Sequence, residues 1–271
     1  MSLKSKKIIF FGNERLATGV STKNPVLNSL LKNGFEVEKI ILNQDDYNSR
    51  SIKINEAEEF GLKNHIPCLK PKTNDELEVI ISRSEARLGI LVSYGKIIPE
   101  SIIKQFDLGI INLHPSLLPK KRGPTPIEQT IIDGDLRSGV SIMKLTKGMD
   151  DGPIYIQKTI ELKGNETKQE LSTILGSLGA DLIIDVLLDI FNENIDPRPQ
   201  DDAQKSFTHM IIKSSGSVDW SDSSENIERR FRAYEYWPRS YTDIFGIRTI
   251  ITDMQTMESA STSPGNIVIS M

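Results

Sequence analysis

An alternation of short apolar runs with stretches of helical spacing constrains this chain more than any other feature. The first run, KIIFFG at residues 7–12, is apolar almost throughout and stops at a glycine, as a strand buried on both faces does. Residues 25–33 (PVLNSLLKN) carry helical spacing, with Pro25 in the first turn, where a missing N–H leaves no bond unmade, and Gly34 as a stop. A second strand is expected at 37–42, a polar helix at 54–64, a short strand at 66–69 and a helix at 74–84. Strands follow at 88–93 and 109–113. This repetition predicts an α/β fold with a doubly wound, mostly parallel sheet and right-handed crossovers. Further strands are expected at 139–145 and 154–162, and one long helix at 168–192.

The stretch that begins ENIDPRPQDDAQ has two prolines, many charges and no periodicity, so it reads as a linker. The chain then divides into an α/β unit at 1–192, a linker at 193–206 and a small second unit at 207–271, with a helix expected at 224–234 and short strands after it. With 38% hydrophobic and 26% charged residues the chain can fill a core. The net charge of −4 offers no broad basic field, so DNA binding is not expected and any RNA contact has to be local. Cys68 is the single cysteine. It rules out an internal disulfide, cannot found a cysteine-rich metal site, and reads as a core residue. The apolar run near the N-terminus is too short for a signal peptide, and no stretch approaches the 18 or so apolar residues that a membrane span needs. A soluble, cytoplasmic protein is expected.

In an open α/β sheet the ligand sits beyond the carboxyl ends of the strands. The richest polar cluster at such an end is IINLHPSLLPKKRGPTP. Asn112 and His114 are two apart, so an extended chain turns both to one side. Pro115, Pro119, Pro124 and Pro126 then hold the following residues in a stiff path. An isolated histidine there often only ends a strand, but this is one of three in the chain, with His65 and His209. Asp150 lies in KGMDDGPIY, an acidic glycine-flanked turn that is weak by itself and in which Asp151 is a rival. GNERLATG after the first strand does not match GxGxxG, and GxxxxGK[ST], HExxH and GxSxG are all lacking. Dinucleotide, nucleoside triphosphate, zinc-protease and serine-hydrolase readings therefore have no support. Three scattered histidines do not make a metal site.

The segment NLHPSLLPKKRGPTPIEQTIIDGDLRSGVSIMKLTKGMDDGPIY resembles the core signature of the 10-formyltetrahydrofolate-dependent formyltransferases. It has an Asn-x-His, an SLLP loop and an aspartate 36 residues after the histidine. RGPTPIEQTIIDGD looks like the RGxxPI…GD stretch of the branch that acts on methionyl-tRNA. Residues 217–242, with DWS, FRA and WP in order, are similar to the opening of that branch's C-terminal domain. The resemblance runs from KIIFFG to PGNIV.

It implies a Rossmann-like formyltransferase domain followed by a small, incomplete β-barrel-like (OB-like) domain that stops at PGNIVISM. It also implies a transferase that serves translation initiation, works as a monomer without a metal or a membrane, and formylates initiator methionyl-tRNA from 10-formyltetrahydrofolate. Asn112 and His114 would steady the oxyanion and Asp150 would orient His114 and help move the proton. The co-substrate would meet Val92, Ser93, Tyr94, Gly95 and Ile97 on one loop, Ser116, Leu117, Leu118 and Pro119 on a second, and Gly148, Met149 and Asp151 on a third. Tyr94-Gly95 also reads as a plain strand-ending turn. Where the branch carries a basic insertion, this chain has NQDDYNSRSIKINE, which leaves Arg50 and Lys53, together with Arg122, as tRNA contacts. The run Lys120-Lys121-Arg122 suits phosphates, a folate tail or a solvated face equally. An amino sugar nucleotide as acceptor, a non-catalytic folate-binding module and a hydrolase that releases formate are the competing readings.

Overall fold

The strand β1 (Lys7–Gly12) shows how the fold is built. Ile8, Ile9, Phe10 and Phe11 are all fully buried, and the two-residue period of a strand sends them alternately to opposite faces. Ile8 and Phe10 join one core with Val26, Leu27 and Leu30 of α1 (Pro25–Lys32) and Leu171, Leu175 and Ile183 of α6 (Lys168–Asn192). Ile9 and Phe11 join a second core with Leu77 and Ile81 of α3 (Asn74–Ser82) and Ile102 and Ile103 of α4 (Glu100–Ile103). Burying one such side chain stabilises by roughly 1.5–3 kcal/mol, so a strand apolar on both faces is driven into the middle of a three-layer sandwich. The molecule is a computed structural model that describes residues 6–43 and 56–257. Arg50, Lys53 and the PGNIVISM end lie outside the described residues.

The remaining elements are β2 (Glu36–Ile41), α2 (Glu56–Lys63), β3 (Cys68–Leu69), β4 (Leu88–Val92), β5 (Ile110–His114), α5 (Pro126–Asp133), β6 (Arg137–Lys144) and β7 (Ile154–Glu161), then α7 (Ser224–Ala233), β8 (Tyr241–Ile244) and β9 (Ile247–Ile250). The sheet order is β3-β2-β1-β4-β5-β6-β7. β1 to β5 pair in parallel, while β6 and β7 join antiparallel. The mostly parallel, doubly wound sheet expected from the sequence is therefore present, with a second, antiparallel sheet in β8 and β9. The direction of growth reverses between β1 and β4, and the crevice beyond their carboxyl ends is where such sheets bind ligands.

Helix α5 departs from expectation. Its four neighbouring prolines suggested a stiff loop, yet Pro126 occupies a first-turn position and Gly134 ends the helix at φ 67, the two places where helices accept these residues. Helix α6 opens with a capping box between Thr167 and Glu170 and packs against β5. At Gly179 a Cβ would lie 2.3 Å from Leu113 Cδ1, so only a glycine lets the helix press so closely on the strand that carries Asn112 and His114. Two further ties reach the C-terminal unit. Lys168 Nζ donates to the Trp237 carbonyl at 3.0 Å with Glu128 4.0 Å away, and Gln169 N donates to Glu235 Oε2 at 3.2 Å.

The loop after β1 is held by Glu14, 1% exposed, whose carboxylate accepts from Val26 N at 2.7 Å and Leu27 N at 2.8 Å. It satisfies the first-turn N–H groups of α1 in place of a cap side chain. Burial pushes this carboxyl from 4.5 up to about 8, against the pull of those two N–H groups. The folded-state value lies above the unfolded one, so this contribution to stability is complete below the unfolded value and is lost as pH rises through about 8. The melting temperature is therefore expected to fall between about pH 5 and about pH 8.5, and Glu14→Gln to flatten that slope. Parallel pH profiles of the two proteins in thermal unfolding would dismiss the idea.

Candidate active site

The last three residues of β5 carry Asn112 and His114, 7% and 5% exposed, facing one way across the strand. Both meet Asp150, from the turn between β6 and β7. Asn112 Nδ2 donates to Asp150 Oδ1 at 3.4 Å, and His114 Nδ1 lies 3.7 Å from Oδ2. The second contact is longer than a hydrogen bond. His114 Nε2 meets the Lys121 carbonyl at 2.9 Å. A carbonyl only accepts, so Nε2 carries a proton. Nδ1, the atom turned toward Asp150, is left as the position where a proton can come and go.

Asp150 Oδ2 also accepts from Gly123 N at 2.8 Å. The residue sits at φ 50, a left-handed conformation uncommon for non-glycine residues but one that aspartate takes more readily than most. Its neighbour Asp151 turns away, taking a hydrogen bond from Thr146 Oγ1 within its own loop. The two rivals of the sequence are thus separated by geometry: Asp150 meets the β5 pair, and Asp151 closes the turn.

The other expected site residues are spread around this centre. Ser93 and Gly95 take positive φ in the turn beyond β4. Tyr94 is 4% exposed and its ring stands edge-on to Phe11 at 5.7 Å, so it anchors that turn in the core. Val92 is buried, whereas Ile97 and Met149 are 83% and 59% exposed. Gly148 adjoins the Asp151 carboxylate. Ser116 Oγ donates to the Lys120 carbonyl at 2.7 Å, and Leu118 N donates to Ser141 Oγ at 3.1 Å. Leu118 and Pro119 line a cavity of about 490 Å³ beside β7, and Ser116 and Leu117 line another of about 530 Å³. Neither is lined by Asn112, His114 or Asp150.

The basic run also divides. Lys120 is exposed. Lys121 pairs with Asp133 and, at 2.8 Å, with Asp135. Arg122 is 3% exposed, and its guanidinium donates to Gln200 Oε1 and Asp202 Oδ1. An outward contact to tRNA does not fit an arginine so buried and so occupied. It braces the loop from within. Among the described residues no cluster of three or more histidine, cysteine or carboxylate side chains is arranged for a metal ion, and no helix is long and apolar enough to cross a membrane.

Three groups escaped the sequence reading: the Lys121 carbonyl, the Gly123 N–H and Gln200. The first two are backbone and leave no trace in a residue pattern. Gln200 donates to the carbonyls of Asp150 and Gly152 at 2.8 and 2.7 Å, partners that carry no charge and set no spacing.

Residues 6–187 match the family model described as formyl transferase, and residues 210–271 match that of the formyl transferase C-terminal domain. The methionyl-tRNA formyltransferase of Chloroflexus aggregans is 33% identical over 267 residues, covering 97% of this chain and 84% of its own. That of Thermotoga maritima is 30% identical over 265 residues, covering 96% and 83%. In fold, the chain is similar to the N-formyltransferase of Helicobacter canadensis, solved with folinic acid and dTDP-3-aminofucose, at TM-score 0.67 and 21% identity over 90% of this chain and 86% of that one. HypX of Aquifex aeolicus, solved with tetrahydrofolic acid, gives TM-score 0.70 and 16% identity over 95% of this chain and 39% of that one.

Proposed function

Because this chain belongs to the formyl transferase family, we propose that it moves a formyl group from 10-formyltetrahydrofolate to the amino group of initiator methionyl-tRNA, with Asn112, His114 and Asp150 as the reacting centre. The carrying observation is the match to methionyl-tRNA formyltransferases along 97% of the chain. The convergence of Asn112 and His114 on one carboxylate supports the chemistry.

The amine attacks the formyl carbon, and the carbonyl oxygen becomes an oxyanion. Asn112 and His114 lie on one side of β5, where both can donate to that oxygen. One such donor is typically worth roughly 10²–10³ in rate. An α-amino group titrates near 7.7–8.0, so much of it is already neutral and needs no strong base to attack. After attack the new C–N bond leaves the nitrogen acidic. Its proton passes to the His114–Asp150 pair and on to N10 of the folate as the old C–N bond breaks. General acid–base help of this kind contributes roughly 10²–10⁴. The exposed apolar side chains of Ile97 and Met149 stand on the two loops flanking the centre and suit the faces of a pterin ring. In this role the protein works where initiator tRNA is charged, in the cytoplasm.

The test is formyl transfer from 10-formyltetrahydrofolate to purified methionyl-tRNA, with uncharged tRNA and an amino sugar nucleotide as parallel acceptors. Formylated methionyl-tRNA is the expected product. Transfer to the sugar alone, or release of formate with no acceptor, would overturn the assignment of the acceptor.

A further inference from the structure

We propose that Gln200 is a positioning residue for this reaction: backed by Arg122, it holds the backbone of Asp150 where the carboxylate meets Asn112 and His114. The inference rests on the role given to Asp150 above. A non-glycine residue at φ 50 carries some backbone strain, less for aspartate than for most, and is held there by its surroundings. Gln200 supplies that constraint. Its amide nitrogen has two N–H groups, and they go to the carbonyls of Asp150 and Gly152, on either side of the turn, at 2.8 and 2.7 Å. Its oxygen takes Arg122 Nε at 3.0 Å and Nη2 at 2.7 Å. Arginine can only donate, so the amide is forced to face Arg122 with its oxygen and Asp150 with its nitrogen.

The segment that carries Gln200 is itself fixed. Arg198 exchanges both backbone hydrogen bonds with Ile154 at 2.8 Å, Arg122 N donates to the Ser206 carbonyl at 2.9 Å, and Thr208 N donates to the Arg122 carbonyl at 2.7 Å. Arg122 Nη2 reaches Asp202 Oδ1 at 2.8 Å. The loop at 121–123 therefore grips the centre at two further points, through Lys121 O on His114 and Gly123 N on the Asp150 carboxylate. Asp150 is held by its side chain from one side and by its carbonyl from the other.

Gln200→Glu separates this brace from the fold. Glutamate keeps the length and gives Arg122 a full counter-charge, so the segment stays attached. Both N–H groups are lost, and a carboxylate then faces two carbonyl oxygens. The expected result is a kcat for formyl transfer lower by roughly 10–100-fold, the scale of a misplaced catalytic group. KM for both substrates should stay close to that of the parent, and the melting temperature should fall by only a few degrees. Gln200→Met, which carries no charge, should lose a similar factor. In an Asp150→Asn background, measured in single turnover, Gln200→Glu should add almost nothing, since the group it positions is gone. Equal losses in both backgrounds, or a parental kcat in Gln200→Glu while Asp150→Asn is inactive, would overturn the inference. Full activity in Asp150→Asn would instead overturn the reacting centre itself.

Discussion

His114→Ala is expected to slow formyl transfer by about 10⁴-fold or more, the combined lower ends of one oxyanion donor and one acid–base group. The side chain supplies a donor at Nδ1 and the relay to Asp150, and alanine removes both. KM for each substrate should move little if His114, 5% exposed at the end of β5, acts on the reacting atoms as proposed. Asp150→Asn should fall in the same direction, leaving Nδ1 without a charged partner. The double variant should be barely slower than either single one, since groups that act as a unit do not contribute additively. Steady-state kinetics with purified methionyl-tRNA decides this. A loss confined to KM would make His114 a binding residue, and an unaltered kcat would remove it from the chemistry.

The largest effect on stability is expected from Gly12→Ala. At φ 115, a region that L residues rarely adopt, the added Cβ would lie 1.9 Å from the Val92 carbonyl oxygen. That oxygen is backbone and cannot rotate aside, so β1 and β4 would have to part at their carboxyl ends. Strained backbone costs of order 1–3 kcal/mol and forced overpacking a similar amount. A total of about 3–5 kcal/mol corresponds, for a chain of this size, to a melting temperature lower by roughly 10 °C. Val92 leads into the turn at Ser93–Gly95, so if that turn meets the folate as proposed, residual activity should show a raised KM for it as well. Calorimetry showing a melting temperature within about 2 °C of the parent, less than 1 kcal/mol of change, would contradict the steric reading.

Much of the fold was legible because each α/β element carries its own period. KIIFFG is apolar at every core position of β1, and the helix expected at 168–192 is α6 with the same bounds. The antiparallel turn of β6 and β7 was not legible, because strand direction depends on how the connections cross and not on composition. Helix α5 was obscured by its prolines, which signal a rigid loop and a helix start alike until Pro126 is known to follow an N-cap. At the candidate site, the two-residue spacing of Asn112 and His114 was sufficient to place them together on β5. Which of Asp150 and Asp151 would face them was not, since adjacent aspartates in a turn differ only in backbone angles. The setting of Arg122 was not legible for a related reason. Its charge suggested phosphate, while its partners Gln200 and Asp202 lie 78 and 80 residues away, beyond the reach of any local pattern.

The stitching of residues 200–209 onto the 119–125 loop also has a consequence in time. A nascent chain folds from its N-terminal end as it is made, and β1 to β7 with α6 are complete by Asn192. At that moment the sheet can close around Asn112 and His114 while the Asp150 turn still lacks Gln200 to seat it. The full set of hydrogen bonds around Asp150 therefore forms after the core, with the stretch of chain that leads into the second unit. An unfinished polypeptide would hold a packed sheet before the Asp150 turn is braced.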